Sequence, residues 1–256
     1  MVIPASSPRV YRRRRQRMRR LLFFLFFVVA LFSFIHSGFF SLKNIEFSGN
    51  VHIADQELEN LMGVARGINL WQVDTKVLAQ RLATHPLVAR ADVSRRWPRT
   101  LIVHIEERTA AAIVVQEGKF LLIDGGGVVM EITSHIGNLE LPLLSGLGKL
   151  ENIGPGKEIN HPGLQAALTV LRQMPAEELP RIQEIIASSP DNLQLIWTGN
   201  IPVKFGDARD VAGKLARLHE AMQGLAGRGT VEYIDVSFAG APVVKFKQDN
   251  KREDKK

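Results

Sequence analysis

Ala89-Arg90-Ala91-Asp92-Val93-Ser94, Trp97-Pro98-Arg99-Thr100 and Leu101-Ile102-Val103-His104-Ile105-Glu106 follow one another with only Arg95 and Arg96 interposed. In the first run Ala89, Ala91 and Val93 alternate with Arg90, Asp92 and Ser94, the period of a half-buried strand. Trp97-Pro98-Arg99-Thr100 makes the turn. Leu101, Val103 and Ile105 then alternate with Ile102, His104 and Glu106 in a returning strand. The apolar face of this hairpin needs a cover, and the sequence upstream supplies one. Ile45-Glu46-Phe47 alternates and ends in the turn chemistry of Ser48-Gly49-Asn50. Asp55 is an N-cap candidate for a helix with Leu58, Leu61 and Met62 on one stripe, closed by Gly63. Asp74 can cap a second helix with Val77, Leu78 and Leu82 facing inward, stopped by Pro86. Residues 41–108 thus read as strand, helix, helix, strand, strand, with both helices on one face of a small mixed sheet.

Further upstream the chain changes character. Eight of its 33 basic residues (Arg9, Arg12, Arg13, Arg14, Arg15, Arg17, Arg19 and Arg20) fall in the first twenty positions, where no acid occurs. Residues 21–256 hold 25 basic groups against 26 acidic ones, so the formal net charge of +7 belongs to the leader. This excludes a folded basic module for nucleic acid. Eight of the thirteen Phe lie between Leu21 and Phe40, a stretch without charge or proline in which His36, Ser37 and Gly38 are the soft spots. Twenty helical residues rise about 30 Å, the thickness of a bilayer's hydrocarbon core. Each Leu, Ile, Phe or Val favours insertion by roughly 0.3–0.6 kcal/mol, with nothing charged to oppose it. A cleaved signal peptide would have a shorter basic region and a small-x-small site; Ile35-His36-Ser37 is a poor imitation. The Arg pairs suggest a twin-arginine signal, but the core is too hydrophobic for one. An uncleaved anchor is the better reading, with Arg12, Arg13, Arg14, Arg15, Arg17, Arg19 and Arg20 as the topology signal that keeps the N-terminus cytoplasmic. The rest is exported, and without cysteine it folds without disulfides.

Downstream, Phe120–Ile123 and Val128-Val129 flank Asp124-Gly125-Gly126-Gly127, which reads as a hairpin turn: a strand follows it, and no helix N-terminus is there to bind phosphate. A helix follows Pro162, with Leu164, Leu168 and Leu171 on one face. Strands are expected at 182–187, 193–197 and 202–205. Asp207 can cap another helix whose Val211, Leu215, Leu218 and Met222 form a stripe. Strands at 231–236 and 242–246 precede a charged tail that is expected to be disordered. Chemistry finds little purchase. The seven His show no metal spacing, and there is no thiol and no G-x-S-x-G elbow. Glu106 and Glu107, adjacent on a strand, point to opposite faces. Trp97 and Trp197 are expected in core or turn packing. No enzyme, cofactor, metal or small-molecule substrate is expected.

The β-α-α-β-β order directly outside a single span looks like a POTRA domain. Ser94 through Arg108 is similar to the R-x-W-P-x-x-L-x-V-x-V-x-E signature of the FtsQ/DivIB family of bacterial cell-division proteins. The Gly49-Asn50 turn and His85-Pro86-Leu87-Val88 resemble further elements of that family. So do Phe120–Val129, Leu141-Pro142-Leu143-Leu144-Ser145-Gly146 and the Tyr233-Ile234-Asp235-Val236 strand. One departure is Thr109-Ala110-Ala111-Ala112, where members carry a proline-containing element. The resemblance implies an α+β chain: a basic cytoplasmic tail (1–20), a transmembrane helix (21–40), a POTRA domain (41–110), a β-rich domain with two helices (111–246) and a charged tail (247–256). It implies a non-enzymatic, single-pass scaffold of the divisome in the cell (inner) membrane at the septum, with the bulk of the chain outside the cytoplasm. Its implied partners are membrane proteins of the FtsB/DivIC and FtsL types, with FtsW and FtsI nearby.

The family docks its FtsB-type partner on the terminal part of the β domain. Carried over by the Tyr233 strand, this points to Tyr233, Phe238, Val243, Val244 and Phe246. The same edge follows from physics, since a last strand tends to leave one side unpaired and open to β-augmentation. Phe238 and Phe246 are either interface anchors or core residues. The strand through Leu101, Val103 and Ile105 is a second candidate surface, from the family's use of the POTRA sheet. The rival readings are an exported hydrolase with a cleaved or uncleaved signal anchor, whose mature N-terminus would lie near Phe39, and a POTRA-type protein of envelope assembly. The latter needs a barrel for which 111–256 lacks the lipid-facing strands.

Overall fold

The computed structural model describes residues 8–137, 139–225 and 229–247, with side chains from Arg17 onward. The side chains of Arg12, Arg13, Arg14 and Arg15, and the charged tail beyond Lys247, lie outside the described residues. Helix α1, Pro8–Ile35, is the one helix among the described residues that is long and apolar enough to cross a membrane. Its Phe and Leu side chains are exposed along its length. It ends at Ile35 and not at Phe40. The Ser37 hydroxyl accepts a hydrogen bond from the Phe39 N–H (3.3 Å) and caps a separate 3-10 turn, Gly38–Phe40.

Contacts divide the chain into two compact units, residues 1–83 with 90–107, and residues 84–89 with 108–256. In the first, α1 is followed by β1 (Asn44–Ser48), α2 (Asp55–Met62), α3 (Thr75–Leu82), β2 (Val88–Arg96) and β3 (Thr100–Glu107). The sheet order is β1-β3-β2, with β1 and β3 parallel and Ile45 opposite Leu101. Leu58, Met62, Leu78 and Leu82 from the two helices are buried, as are Leu101, Val103 and Ile105. Asp74 caps α3 by accepting from the N–H groups of Lys76 and Val77. Two local expectations need correcting. Ala54 precedes α2 without a side-chain cap, and Asp55 is its first helical residue, accepting from Asn50 Nδ2 at 2.8 Å. Val77 is exposed, because Leu78 and Leu82 alone fill the stripe of a two-turn helix.

Two close approaches fix this unit. Gly49 leaves β1 at φ +83°, where a Cβ would lie 2.1 Å from the Ile105 carbonyl oxygen, so only glycine fits. The Glu107 carboxylate accepts from the N–H groups of Val51 (2.7 Å), His52 (2.9 Å) and Ile53 (3.0 Å), and pairs with His52 Nδ1 (2.8 Å). Desolvation pushes this carboxyl up, but the His52 side chain and the three backbone donors outweigh it and hold it at about 2. A depressed carboxyl stabilises the fold above its unfolded value near 4.5, and that contribution is lost as pH falls toward 2. Acid titrations followed by circular dichroism should show Glu107→Gln less stable than wild type above pH 4.5, the difference closing toward pH 2.

The second unit contains β4 (Ala110–Gln116), β5 (Lys119–Asp124), β6 (Val129–Thr133), β7 (Leu143–Ser145), α4 (Pro162–Gln173), β8 (Ile182–Ile186), β9 (Leu193–Trp197), β10 (Ile201–Gly206), α5 (Val211–Gln223), β11 (Val231–Asp235) and β12 (Val243–Phe246). Its nine strands form one mixed sheet in the order β12-β11-β10-β9-β8-β7-β4-β5-β6. The two helices share one core with Val114, Leu144, Ile185, Leu195, Phe205 and Ile234. Asp124 organises the expected turn, its Oδ1 accepting from the N–H groups of Gly126 (2.9 Å) and Val128 (2.8 Å). Pro162 opens α4 beneath a cap from the His161 side chain. A Cβ on Gly163 would lie 2.1 Å from the Ala187 carbonyl oxygen, so glycine sets how closely α4 approaches the end of β8. Asp207 does not cap α5; Asp210 does, from the left-handed region, accepting from Gly213 N–H.

Candidate partner-docking edge

Strands β11 and β12 are antiparallel, with Asp235 opposite Val243, Ile234 opposite Val244, Tyr233 opposite Lys245 and Val231 opposite Phe246. A bulge between Val231 and Tyr233 shifts the register. Strand β12 ends the sheet order, so its other side pairs with no strand among the described residues. The Lys247 N–H donates to the Thr230 carbonyl at 2.8 Å. Backbone groups alternate along a strand, so Lys245 and Val243 also turn theirs toward β11, whereas Phe246 and Val244 turn theirs to the open side.

Side chains alternate as well. Val244 packs against the core beneath α5's side of the sheet, beside the buried Ile234. Phe246 shares that face and is half-buried. Tyr233, Val243 and Lys245 point to the opposite face. The Tyr233 ring lies 4.0 Å from the Lys204 ammonium and 5.7 Å from that of Lys245. Lys245 pairs with Glu232 at 2.9 Å, and that carboxylate, first by hydrogen bond and then by charge, raises the lysine's pKa. Phe238, 44% exposed, sits in the loop after β11, which Asp235 shapes by accepting from the Ser237 N–H (3.0 Å) and hydroxyl (2.6 Å). The five residues read from the sequence therefore border one strand edge, but on two faces and a loop.

A buried ion pair braces the strands behind this edge. Lys214 on α5 is only 3% exposed, and its ammonium donates to the Asp207 carbonyl (2.7 Å) and carboxylate (2.8 Å) just after β10. Arg209 and Lys214 hold the Asp207 carboxyl well below the usual carboxylate range. Removing the carboxylate would leave a buried cation without its charge partner.

Leu101, Val103 and Ile105 do not form a surface. They are at most 1% exposed, and β3 lies between β1 and β2 with both of its edges paired. The alternation that marks them as apolar marks them as core. Trp197 is buried, and Trp97, 43% exposed, stands in the turn between β2 and β3 with its ring 4.4 Å from that of Trp71. The sequence reading missed Lys204, Lys245 and Glu232 around Tyr233. Lys245 is legible as the residue alternating with Val243, but Lys204 arrives from another strand through a parallel β10–β11 pairing that no local pattern encodes.

Both folded units have counterparts among known proteins. Residues 40–108 match the FtsQ-type POTRA domain, and residues 112–237 match the C-terminal domain of the cell division protein FtsQ/DivIB. The chain is 27% identical to cell division protein FtsQ of Syntrophotalea carbinolica over 82% of its own length and 75% of that protein's. It is 26% identical to cell division protein DivIB of Clostridium tetani, over 82% and 80%. With FtsQ of Mycolicibacterium smegmatis the identity is 34%, over 80% of this chain and 57% of that one. An apolar N-terminal helix suited to a single-pass anchor, an FtsQ-type POTRA unit and an FtsQ/DivIB C-terminal unit stand in order along one polypeptide, and the chain belongs to the FtsQ/DivIB family of cell-division proteins.

Proposed function

We propose that this chain is a non-enzymatic, single-pass divisome scaffold that receives an extended segment of an FtsB/DivIC-type partner as an added strand on β12. The observation that carries this reading is the open side of β12, toward which alternation turns the backbone groups of Val244 and Phe246 and on which no strand lies among the described residues. Main-chain pairing supplies affinity in such a joint, and flanking side chains supply selectivity. Tyr233, Val243 and Phe238 lie on the accessible rim, while Phe246 sits half-buried at the strand's end. The eight leader arginines keep the N-terminus in the cytoplasm, so both folded units face outward and meet partners anchored in the same membrane. An FtsL-type membrane protein would be a further partner, with FtsW and FtsI nearby at the septum. An exported hydrolase finds no supporting cluster of metal-binding groups among the described residues, and envelope assembly would need a barrel.

A photo-reactive side chain at Val243 should capture the FtsB-type partner in growing cells. The same group at Glu131, on β6 at the opposite end of the sheet order, should not. Capture from Glu131 alone would place the joint at the wrong edge.

A further inference from the structure

The outer end of α1 is fastened to the first unit, not tethered by a loose linker. A helix leaves its last four carbonyls without helical partners, and here three of them are met. His36 N–H donates to Phe32 O (3.1 Å), Ser37 N–H to Phe34 O (3.1 Å), and the Asn69 side-chain amide reaches back to Ile35 O (2.7 Å). The chain leaving the helix then zips onto the loop that carries Asn69. Leu70 N–H donates to Phe40 O (2.8 Å), Leu42 N–H to Ile68 O (2.8 Å) and Gly67 N–H to Leu42 O (2.9 Å).

Around this joint lies a continuous run of aromatic rings. Phe34, in the last turn of α1, contacts Phe39 (5.6 Å between centroids) and Phe40 (5.4 Å). Phe40 meets the edges of Trp71 (6.2 Å) and Trp97 (5.7 Å), whose own rings are 4.4 Å apart. One ring therefore separates both tryptophans from the apolar helix. Phe34, Phe39, Trp71 and Trp97 are 51%, 46%, 53% and 43% exposed, an aromatic surface that the folded unit itself leaves uncovered. Cations accompany it. The Arg99 guanidinium lies 5.4 Å from the Phe39 ring centroid and donates to Phe39 O, while Arg95 donates to Leu70 O, and Lys43 is exposed beside Arg99.

We propose that this aromatic surface seats the first exported unit on the outer headgroup layer of the phospholipid bilayer that α1 crosses, with Trp71 and Trp97 immersed in that layer. The proposal rests on reading α1 as a membrane span. Each headgroup layer is about 5–8 Å thick, a depth that one indole ring fills. Tryptophan favours this zone because its ring is apolar and its N–H needs a polar partner. Lys43, Arg95 and Arg99 bring positive charge to the level of the lipid phosphates, and their stems can snorkel along the aromatic faces. Continuity with the span selects the lipid over a protein partner: the same cluster begins inside the helix that enters the bilayer. Seating would set the tilt at which the POTRA unit stands on the membrane.

The test uses the full chain in vesicles of phosphatidylethanolamine and phosphatidylglycerol that carry brominated acyl chains. Trp97→Phe with Trp197→Phe leaves Trp71 as the sole reporter, and Trp71→Phe with Trp197→Phe leaves Trp97. Leu25→Trp in a chain with all three native tryptophans replaced by Phe reports the span. Shallow bromines should lower Trp71 and Trp97 emission by about twofold and deep bromines less, as for residues of an interfacial belt. The Leu25→Trp reporter should be quenched most by deep bromines. Emission from Trp71 and Trp97 that no bromolipid alters, with Leu25→Trp quenched, would overturn the seating while leaving the span intact, as expected if the patch serves a protein partner instead. An unquenched Leu25→Trp would overturn the span and the seating together.

Discussion

Val103→Asp should unfold the first folded unit. Val103 is 0% exposed on the central strand of a three-stranded sheet, opposite Phe47 of β1. A carboxylate there would be buried without a partner, at a cost above about 4 kcal/mol, a large part of a small domain's stability. Val103→Ala removes only apolar burial and should cost roughly 2 kcal/mol. Amide hydrogen exchange separates these outcomes by region. Protection in β1 and β3 should vanish in Val103→Asp while protection in β8, β9 and β10 persists, because the nine-stranded sheet has its own core. A variant that keeps its protection yet loses partner capture would instead make β3 a contact surface.

Val244→Pro should weaken partner binding by about a hundredfold, where Val244→Ala changes it little. The two substitutions remove a similar amount of packing against Ile234 but differ in one respect. Proline deletes the N–H that Val244 turns to the open side and places a ring where an incoming strand would lie, together about 3 kcal/mol. Pairing with β11 should survive, since Val243 and Lys245 make the inward bonds. Titrations of the full chain with the partner check this contrast. Equal losses in the two variants would mean that the Val244 side chain matters and its backbone does not.

Residues whose role is local were legible in the sequence. Asp74 caps α3, Gly63 closes α2 and Pro162 opens α4 because each acts within one turn of its own position. Asp207 shows where such reading stops. It stands at the right distance before a helix, but its carboxylate is taken by Lys214, a cation that its i+3 position from Val211 places on the buried face of α5, and Asp210 caps instead. Leu101, Val103 and Ile105 were correctly read as one face of a strand. Alternation could not show that the strand lies at the centre of its sheet, since order depends on the parallel pairing with β1 across more than fifty residues. The open side of β12 was legible because the strand is terminal: among the described residues no later strand covers it. Which of its residues face outward depends on the bulge in β11, and no sequence pattern marks it.

Amide exchange along β12, measured on the full chain with and without an FtsB-type protein, tests whether a strand is added there. The N–H groups of Val244 and Phe246 face the open side and should exchange at least about tenfold more slowly once the partner is bound. Those of Val243 and Lys245, already turned toward β11, should change far less. Partner binding that leaves Val244 and Phe246 exchanging at their free rates would contradict strand addition at β12.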